Sequence, residues 1–333
     1  MIPSFDFILI KDPHFMFGFR SNIRKHGWEK DIDDKIDQII TYALNNNIEN
    51  IFFTGDVFEK NRKKDWSFNQ HQQNKARLKK FKRAGLKVFS NMGNHDYFDG
   101  KETPEGTIFG EMVEAGLINY IGTSMPPITF KVSEEFKVYL FGIDHHQAID
   151  KILDELERIS MLDLRPKIVL MHSNITDTQE IVSDFTYNQL SKYNIDVIGC
   201  GHWHLAPEKA MVQKVNNTYF LNPWNLTRVV RDYHVKLDEH IPTIIHGRIV
   251  PVGDDYSFNF KEIPLRVKPF SEAFNVDIIN FLQELGKTEF SFFEEVNLDD
   301  EEILDDDAML IESLARAYNI PEESVKLAKE LLS

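Results

Sequence analysis

Gly93-Asn94-His95-Asp96 sets a turn residue, a neutral carbonyl oxygen, an imidazole and a carboxylate in four consecutive positions after a short apolar run. These groups have little use in a core, but together they can bind a metal or move a proton. Alone, the tetrapeptide reads equally well as a polar turn. Four more clusters repeat the arrangement: Asp12-Pro13-His14, Gly55-Asp56, Met171-His172 and Gly201-His202-Trp203-His204, each after an apolar run. Singly, they are turns or, for His172, a hydrogen-bonded core histidine; five in one chain point to metal ligation. Two divalent cations about 4 Å apart need a bridging carboxylate, terminal ligands and open positions for water and substrate. Asp56 can bridge. Asp12, His14 and His204 can complete one shell, and Asn94, His172 and His202 the other. All these donors are oxygen or nitrogen, which fits Mn²⁺, Fe²⁺ or Zn²⁺ in a catalytic site and disfavours a thiolate-bound structural zinc. A spacing of two turns His202 and His204 to the same side of an extended backbone, while Cys200 is assigned to the core.

The apolar runs before the clusters read as strands over 5–10, 51–53, 87–90, 167–171 and 195–199, with further strands at 128–132, 137–141 and 218–221. A turn at 133–135 makes a hairpin of the 128–141 segment. Helices are predicted after Asp31 as N-cap, with the stripe Ile32, Ile36, Ile39, Ile40, Ala43 and Leu44, and over 66–84, 104–115, 149–159 and 185–193. Gly85 and Gly116 stop two of them. Alternating strands and helices indicate a layered α/β fold, in which ligand groups gather at strand carboxyl ends. Asp144-His145-His146 is read as a loop following the strand at 137–141.

The chain of 333 residues accommodates one large α/β domain with an appendage, or two domains. Its 42% hydrophobic and 27% charged residues are those of an ordinary globular protein. One cysteine excludes an internal disulfide and argues for a reducing compartment. The apolar runs are too short to span a bilayer and the N-terminus lacks the features of a signal peptide, so a cytoplasmic location without membrane contact is expected. The net charge of −15 conceals two opposed patches. Residues 289–312 contain eleven acidic residues and no basic one. Residues 60–87 contain eleven basic residues, including Lys60, Arg62, Lys63 and Lys64, against Asp65 alone. This basic stretch is either a rim that meets DNA phosphates or a solvated helix face.

The five clusters, in this order, resemble the calcineurin-like metallophosphoesterase superfamily, whose pattern is Asp-x-His, Gly-Asp, Gly-Asn-His-Asp/Glu, a lone His and Gly-His-x-His. The resemblance covers about residues 5–265. It implies an αββα-type sandwich with a short C-terminal helical appendage. It also implies two metal ions, most often Mn²⁺, one on Asp12, His14, Asp56 and His204 and the other on Asp56, Asn94, His172 and His202. His95 takes the place of the family's non-ligand catalytic histidine, with Asp96 orienting it. Gly55-Asp56-Val57-Phe58-Glu59-Lys60-Asn61 is similar to the SbcD-type nuclease branch and its phage recombination-endonuclease relatives. The arginines that protein phosphatases place after the second and before the third cluster are missing. Lys11, Pro13 and Asn222-Pro223-Trp224-Asn225 depart from that branch's pattern.

The expected organisation is a nuclease domain over 1–265, an acidic linker or reduced cap over 266–304, and a helix-turn-helix tail over 305–333. The resemblance implies a DNA exo/endonuclease acting on double-stranded ends. An SMC-like ATPase of the SbcC type would dock on the C-terminal helices, with a homodimer as a further arrangement. The tail's apolar stripes, including Leu310, Leu314, Val325 and Leu332, otherwise pack on their own domain. Competing readings are a phosphatase or small-phosphodiester hydrolase on the same scaffold, and a non-catalytic scaffold.

Overall fold

The computed structural model describes residues 3–15, 28–59, 68–97, 103–145, 148–176, 183–203, 210–226, 241–274 and 276. The strands are β1 (Phe5–Ile10), β2 (Asn50–Phe53), β3 (Lys87–Ser90), β4 (Asn119–Tyr120), β5 (Ile128–Lys131), β6 (Lys137–Ile143) and β7 (Lys167–Ser173). They continue as β8 (Ile175–Thr176), β9 (Phe185–Thr186), β10 (Val197–His202), β11 (Val212–Val215), β12 (Thr218–Leu221), β13 (Thr243–Val252) and β14 (Asp255–Pro264). The helices are α1 (Trp28–Asn45), α2 (Phe68–Arg83), α3 (Ile108–Glu114), α4 (Ile149–Met161), α5 (Tyr187–Leu190) and α6 (Phe270–Ala273). The chain divides into two units. One holds residues 1–19, 28–228 and 240–267 and carries both large sheets. Of the other, residues 268–274 and 276 are described, and they include the short helix α6.

The first sheet runs β14-β13-β1-β2-β3-β4 and the second β11-β12-β10-β7-β6-β5. β1 to β4 are mutually parallel, as are β12, β10, β7 and β6, with antiparallel strands at β13, β14, β11 and β5. Alternation along each strand decides which side chains enter the space between the sheets. Phe5, Phe7 and Leu9 of β1, Phe52 of β2 and Phe89 of β3 meet Val138 and Leu140 of β6, Ile168 and Leu170 of β7 and Val197 of β10. On the outer face of the second sheet, Val169, Met171, Ile198 and Cys200 pack with Ile152, Leu156 and Ile159 of α4 and Leu190 of α5. The first sheet is backed by α2, whose Phe81 ring meets Phe53 edge-on at 6.1 Å. The result is an αββα sandwich.

Several boundaries differ from those predicted, for local reasons. α1 begins at Trp28, so Asp31 lies in its first turn, where a carboxylate favours the exposed amides, and does not cap it. Leu44, expected on the buried stripe, is 53% exposed. α3 starts at Ile108 because Thr107 caps it, accepting from Gly110 N. Residues 185–193 form no single helix: Phe185–Thr186 pair with β8, and Thr186 with Gln189 makes a capping box for the short α5. β7 and β10 run further than expected, so His172 and His202 belong to the strands themselves. Among the described residues no helix is long and apolar enough to cross a membrane. The acidic stretch over 289–312 and the tail over 305–333 lie outside the described residues.

Phe52 sits where the two sheets face each other, with ring centroids 4.9 Å from Phe7, 5.8 Å from Phe89 and 6.1 Å from Phe130. Phe52→Ala is expected to cost about 3–5 kcal/mol of stability through lost transfer energy and the cavity left behind. Urea unfolding measures it. A loss below about 1 kcal/mol would show that the sheets close over the gap.

Candidate active site

Five parallel strands end at one edge of the sandwich and carry the five clusters: β1, β2 and β3 from the first sheet, β7 and β10 from the second. Register brings the second sheet's histidines together, since Gly201 pairs with His172 and His202 with Ser173. Beyond β1 and β2 the backbone turns sharply to aim side chains at the edge. Asp12, His14, Asp56 and His202 all lie at positive φ (38°, 43°, 45° and 82°), a left-handed conformation uncommon for side-chain-bearing residues. Glycines make the close approach possible. A Cβ on Gly93 would collide with Asp56 Oδ1 and the Asp56 backbone nitrogen. One on Gly201 would meet the Thr54 carbonyl, His172 and Asp12.

Asp56 is at the centre. Its Oδ2 lies 3.2 Å from His172 Nε2 and 3.7 Å from His14 Nε2, and its Oδ1 accepts from the His95 backbone N–H at 2.9 Å. Around it, Asp56, His172 and His202 offer donor atoms within 4.8 Å of one another, an arrangement able to hold a metal ion. Asn94 joins them, its Oδ1 3.2 Å from His172 Nε2, and His202 Nδ1 is also 3.2 Å from that nitrogen. His172 Nδ1 faces the Thr54 carbonyl at 2.6 Å. A carbonyl only accepts, so Nδ1 carries the proton and Nε2 is directed at the cluster. This is the ligand set predicted for one of the two ions.

The other cluster differs from expectation. His14, Glu59 and His95 offer donors within 4.8 Å of one another and form a second group able to hold an ion. Glu59 Oε2 is 2.8 Å from His14 Nδ1 and 3.9 Å from His95 Nδ1. Glu59 carries no motif signal beyond its place three residues after Asp56, and sequence reasoning missed it. Asp12 lies beside the first group: its Oδ1 accepts from Thr54 Oγ1 at 3.1 Å and is 3.7 Å from His172 Nδ1, and its Oδ2 accepts from the His202 N–H at 2.9 Å. His204 lies outside the described residues. Oxygen and nitrogen donors on two groups that share the edge around Asp56 fit a two-metal centre.

Asp96 does not contact His95. Its fully buried carboxylate accepts from three backbone amides: Gly93 and Val57 on Oδ2 at 3.0 and 3.1 Å, and Phe58 on Oδ1 at 3.2 Å. His95 Nδ1 instead faces the Glu59 carbonyl at 3.1 Å. Asp96 therefore positions two loops. Three buried amides satisfied by a single carboxylate outweigh any contact to a half-exposed ring.

Burial pushes the Asp96 carboxyl up, as does the neighbouring charge of Asp56, to about 7. Burial also pushes Asp56 up, but the imidazoles of His172, His95 and His14 outweigh it and hold that carboxyl well below the ordinary range. For His172, burial favours the neutral ring, yet Asp56, Asp12 and the Thr54 carbonyl raise it to about 9. Cys200 is buried, with its thiol pushed up to about 12, as befits a core residue.

Two departures from the family pattern explain each other. The fully buried Lys11 ammonium donates to the Trp203 carbonyl and, at 2.6 Å, to Asn222 Oδ1. Asn222 Nδ2 in turn donates to Tyr187 Oη at 3.0 Å. This chain ties the histidine-bearing loop after β10 to β1 and β12.

Asp144 and His145 are closer to the site than the loop reading implied. The His145 ring is 5.0 Å from that of His202 and 5.9 Å from that of His172. Three of the six lysines and arginines of α2 bond locally: Arg77 to Asp33 at 3.0 Å, Lys80 to Asp37 at 2.9 Å and Lys82 to the Gly116 carbonyl at 3.1 Å. Lys60, Arg62, Lys63 and Lys64 lie outside the described residues.

The proton on His172 must leave before a cation can use Nε2. A folded-state value of about 9 against an ordinary 6.5 means that His172 stabilises the metal-free protein fully below 6.5 and ceases to as pH rises through 9. Asp96, raised to about 7, loses its own contribution between about 4 and 7. Thermal melts are therefore expected to show the metal-free protein weakening from pH 6.5 to 9, while calorimetry shows Mn²⁺ affinity rising over the same window. Flat profiles in both would rule out this proton–metal exchange. Gly93→Ala should weaken metal binding by at least about tenfold, the low end of the loss seen when support for a ligand is removed. A variant with unchanged metal affinity would show that the Asp56 loop yields freely.

The family model described as calcineurin-like phosphoesterase matches residues 7–206. No curated protein matches the chain at a significant level. Among solved structures the chain is similar to a 5′-nucleotidase from Candida albicans, with 12% identity and a TM-score of 0.46 over 85% of this chain and 56% of that one. It thus spans little more than half of that enzyme. It is also similar to a dimetal phosphatase from Danio rerio, with 10% identity and a TM-score of 0.47 over 79% of this chain and 100% of the other. A third likeness is to GAP50, the anchor in the inner membrane complex of Plasmodium, with 12% identity and a TM-score of 0.44 over 80% and 90%. The matched family model starts in β1, takes in all five clusters and covers more than half of the sequence: the chain belongs to the calcineurin-like phosphoesterase family.

Proposed function

We propose that this protein is a Mn²⁺-dependent nuclease subunit that hydrolyses phosphodiester bonds at the ends of double-stranded DNA, acting with an SMC-like ATPase of the SbcC type. The observation that carries the reading is the position of Glu59. It stands in the site against His14 and His95, and the next five residues are Lys60-Asn61-Arg62-Lys63-Lys64. A chain advances at most about 3.6 Å per residue, so covalent linkage alone keeps the backbone of these four basic residues within roughly 18 Å of that of Glu59. Phosphate contacts of this kind supply sequence-independent affinity for DNA.

The charge of the site points the same way. Four of the described arginines, Arg77, Arg158, Arg165 and Arg248, pair with Asp33, Glu155, Asp196 and Asp6, none of them site residues. With these four engaged elsewhere, they give no support to the second charge of a monoester, which favours a diester. Two divalent cations, when bound, supply Lewis-acid stabilisation of phosphoryl oxygens and lower the pKa of water toward neutrality. The chain's own residues do the rest. Asp56 would bridge, with Asn94, His172 and His202 on one side and His14 on the other. His95, its Nδ1–H directed at the Glu59 carbonyl, presents Nε2 to protonate the leaving 3′-oxygen. Asp12 keeps the His202 amide in place. The segment over 305–333, with its apolar stripes, is the docking element in this reading.

Mn²⁺-loaded protein is expected to degrade linear double-stranded DNA. Turnover of nitrophenyl phosphate with no action on DNA would replace the nuclease reading by a phosphatase. His95→Asn should lower turnover by about 10²- to 10⁴-fold with metal content intact. Loss of metal in that variant would make His95 a ligand, as its grouping with His14 and Glu59 allows.

A further inference from the structure

β6 pairs in parallel with β7, with Ile143 opposite Met171, so the two residues after β6 emerge at the edge that carries His172. Their backbone is fastened on both sides of Gly93-Asn94-His95-Asp96. Before that stretch, the Met92 N–H donates to Asp144 Oδ1 at 2.7 Å and the His145 N–H donates to the Met92 carbonyl at 3.0 Å. After it, the Tyr97 hydroxyl donates to the His145 carbonyl. Asp144 Oδ2 accepts from Tyr120 Oη at 2.7 Å and from the Thr123 N–H at 3.0 Å. None of these bonds uses the His145 side chain. The half-buried imidazole lies against His202, with planes 36° apart, and edge-on to the fully buried His172.

The group able to hold an ion comprises Asp56, His172 and His202 without His145, so this ring flanks the cluster and is not a member of it. The other group differs in this respect: His95, 5.2 Å from His14 and edge to face with it, is itself one of the three residues whose donors converge.

We propose that His145 is a substrate-contacting residue that donates a hydrogen bond from its imidazole to a phosphoryl oxygen of an ester held at the Asp56–His172–His202 cluster. Its contribution is to hold the phosphoryl group while His95 serves the leaving oxygen. The inference rests on the phosphoester-hydrolase reading of the centre, and does not depend on whether the ester is DNA.

The test uses the full Mn²⁺-loaded chain with His145→Ala and His145→Asn. Calorimetry gives Mn²⁺ stoichiometry and the affinity for inorganic phosphate, and bis(nitrophenyl) phosphate gives KM and kcat. His145→Ala should keep its Mn²⁺ stoichiometry, bind phosphate about tenfold more weakly, and raise KM more than it lowers kcat. His145→Asn, which keeps an N–H donor, should recover part of the phosphate affinity. Unchanged phosphate affinity in both variants would overturn the proposal. So would the loss of a metal ion, which would make His145 a ligand or a support for His202, or a wild type that binds no phosphate. A wild type that binds phosphate but cleaves no ester would defeat the proposed function while the phosphate comparison still decides the role of His145.

Discussion

Three backbone amides converge on the carboxylate of Asp96, and the centre depends on that convergence. Val57 and Phe58 belong to the loop that follows β2 and Gly93 to the loop that follows β3. Bonds to a charged acceptor are worth about 1.5–3 kcal/mol each, and leaving the buried amides unmet would cost a comparable amount. Fastened this way, the two loops present Asp56 and the His95 amide to each other at 2.9 Å and put Asn94 against His172. The neighbouring carboxylates then diverge. The one ringed by imidazoles is held ionised, while burial and the charge of its neighbour hold the other nearer to protonation against the pull of its three amides. Two acids on different loops thus share one small volume without competing for the same role.

Much of the centre was legible because its ligands follow apolar runs, and a run of buried β residues announces where a strand must end. The alternation of strands and helices was enough to expect a layered sandwich with its chemistry at the carboxyl edge. What escaped was whatever the tertiary arrangement supplies. Glu59 reaches His14 only because the loop turns back after Asp56 at positive φ. His145 reaches His202 only because β6 lies beside β7, a neighbour relation that no local pattern encodes. Asp96 bonds to amides, which the identities of side chains do not reveal. The short α5 was readable in principle: Thr186 and Gln189 are spaced as a capping box, a stronger signal than the apolar residues that implied a longer helix.

The departures from the family pattern are instructive in the same way. Lys11 and Asn222 each look anomalous in sequence, yet one bonds to the other and both serve the loop after β10. A buried ammonium is tolerated when its donors are met by oxygens, as here by a carbonyl and an amide. The basic stretch teaches the opposite lesson. Counting charges over residues 60–87 gives a strong patch, but Arg77, Lys80 and Lys87 are each matched by an acid, Asp33, Asp37 and Glu49, so the patch is weaker than its composition suggests.

The left-handed backbone at Asp12, His14, Asp56 and His202 sets fold and centre against each other. Such conformations cost of order 1–3 kcal/mol apiece, and glycine would relieve the strain. A population selected for persistence alone, with no demand for turnover, would drift toward glycine at these positions and lose its donors while the sandwich grew sturdier. Side chains kept at four such costly bends are, in effect, a record of demand placed on this edge of the molecule.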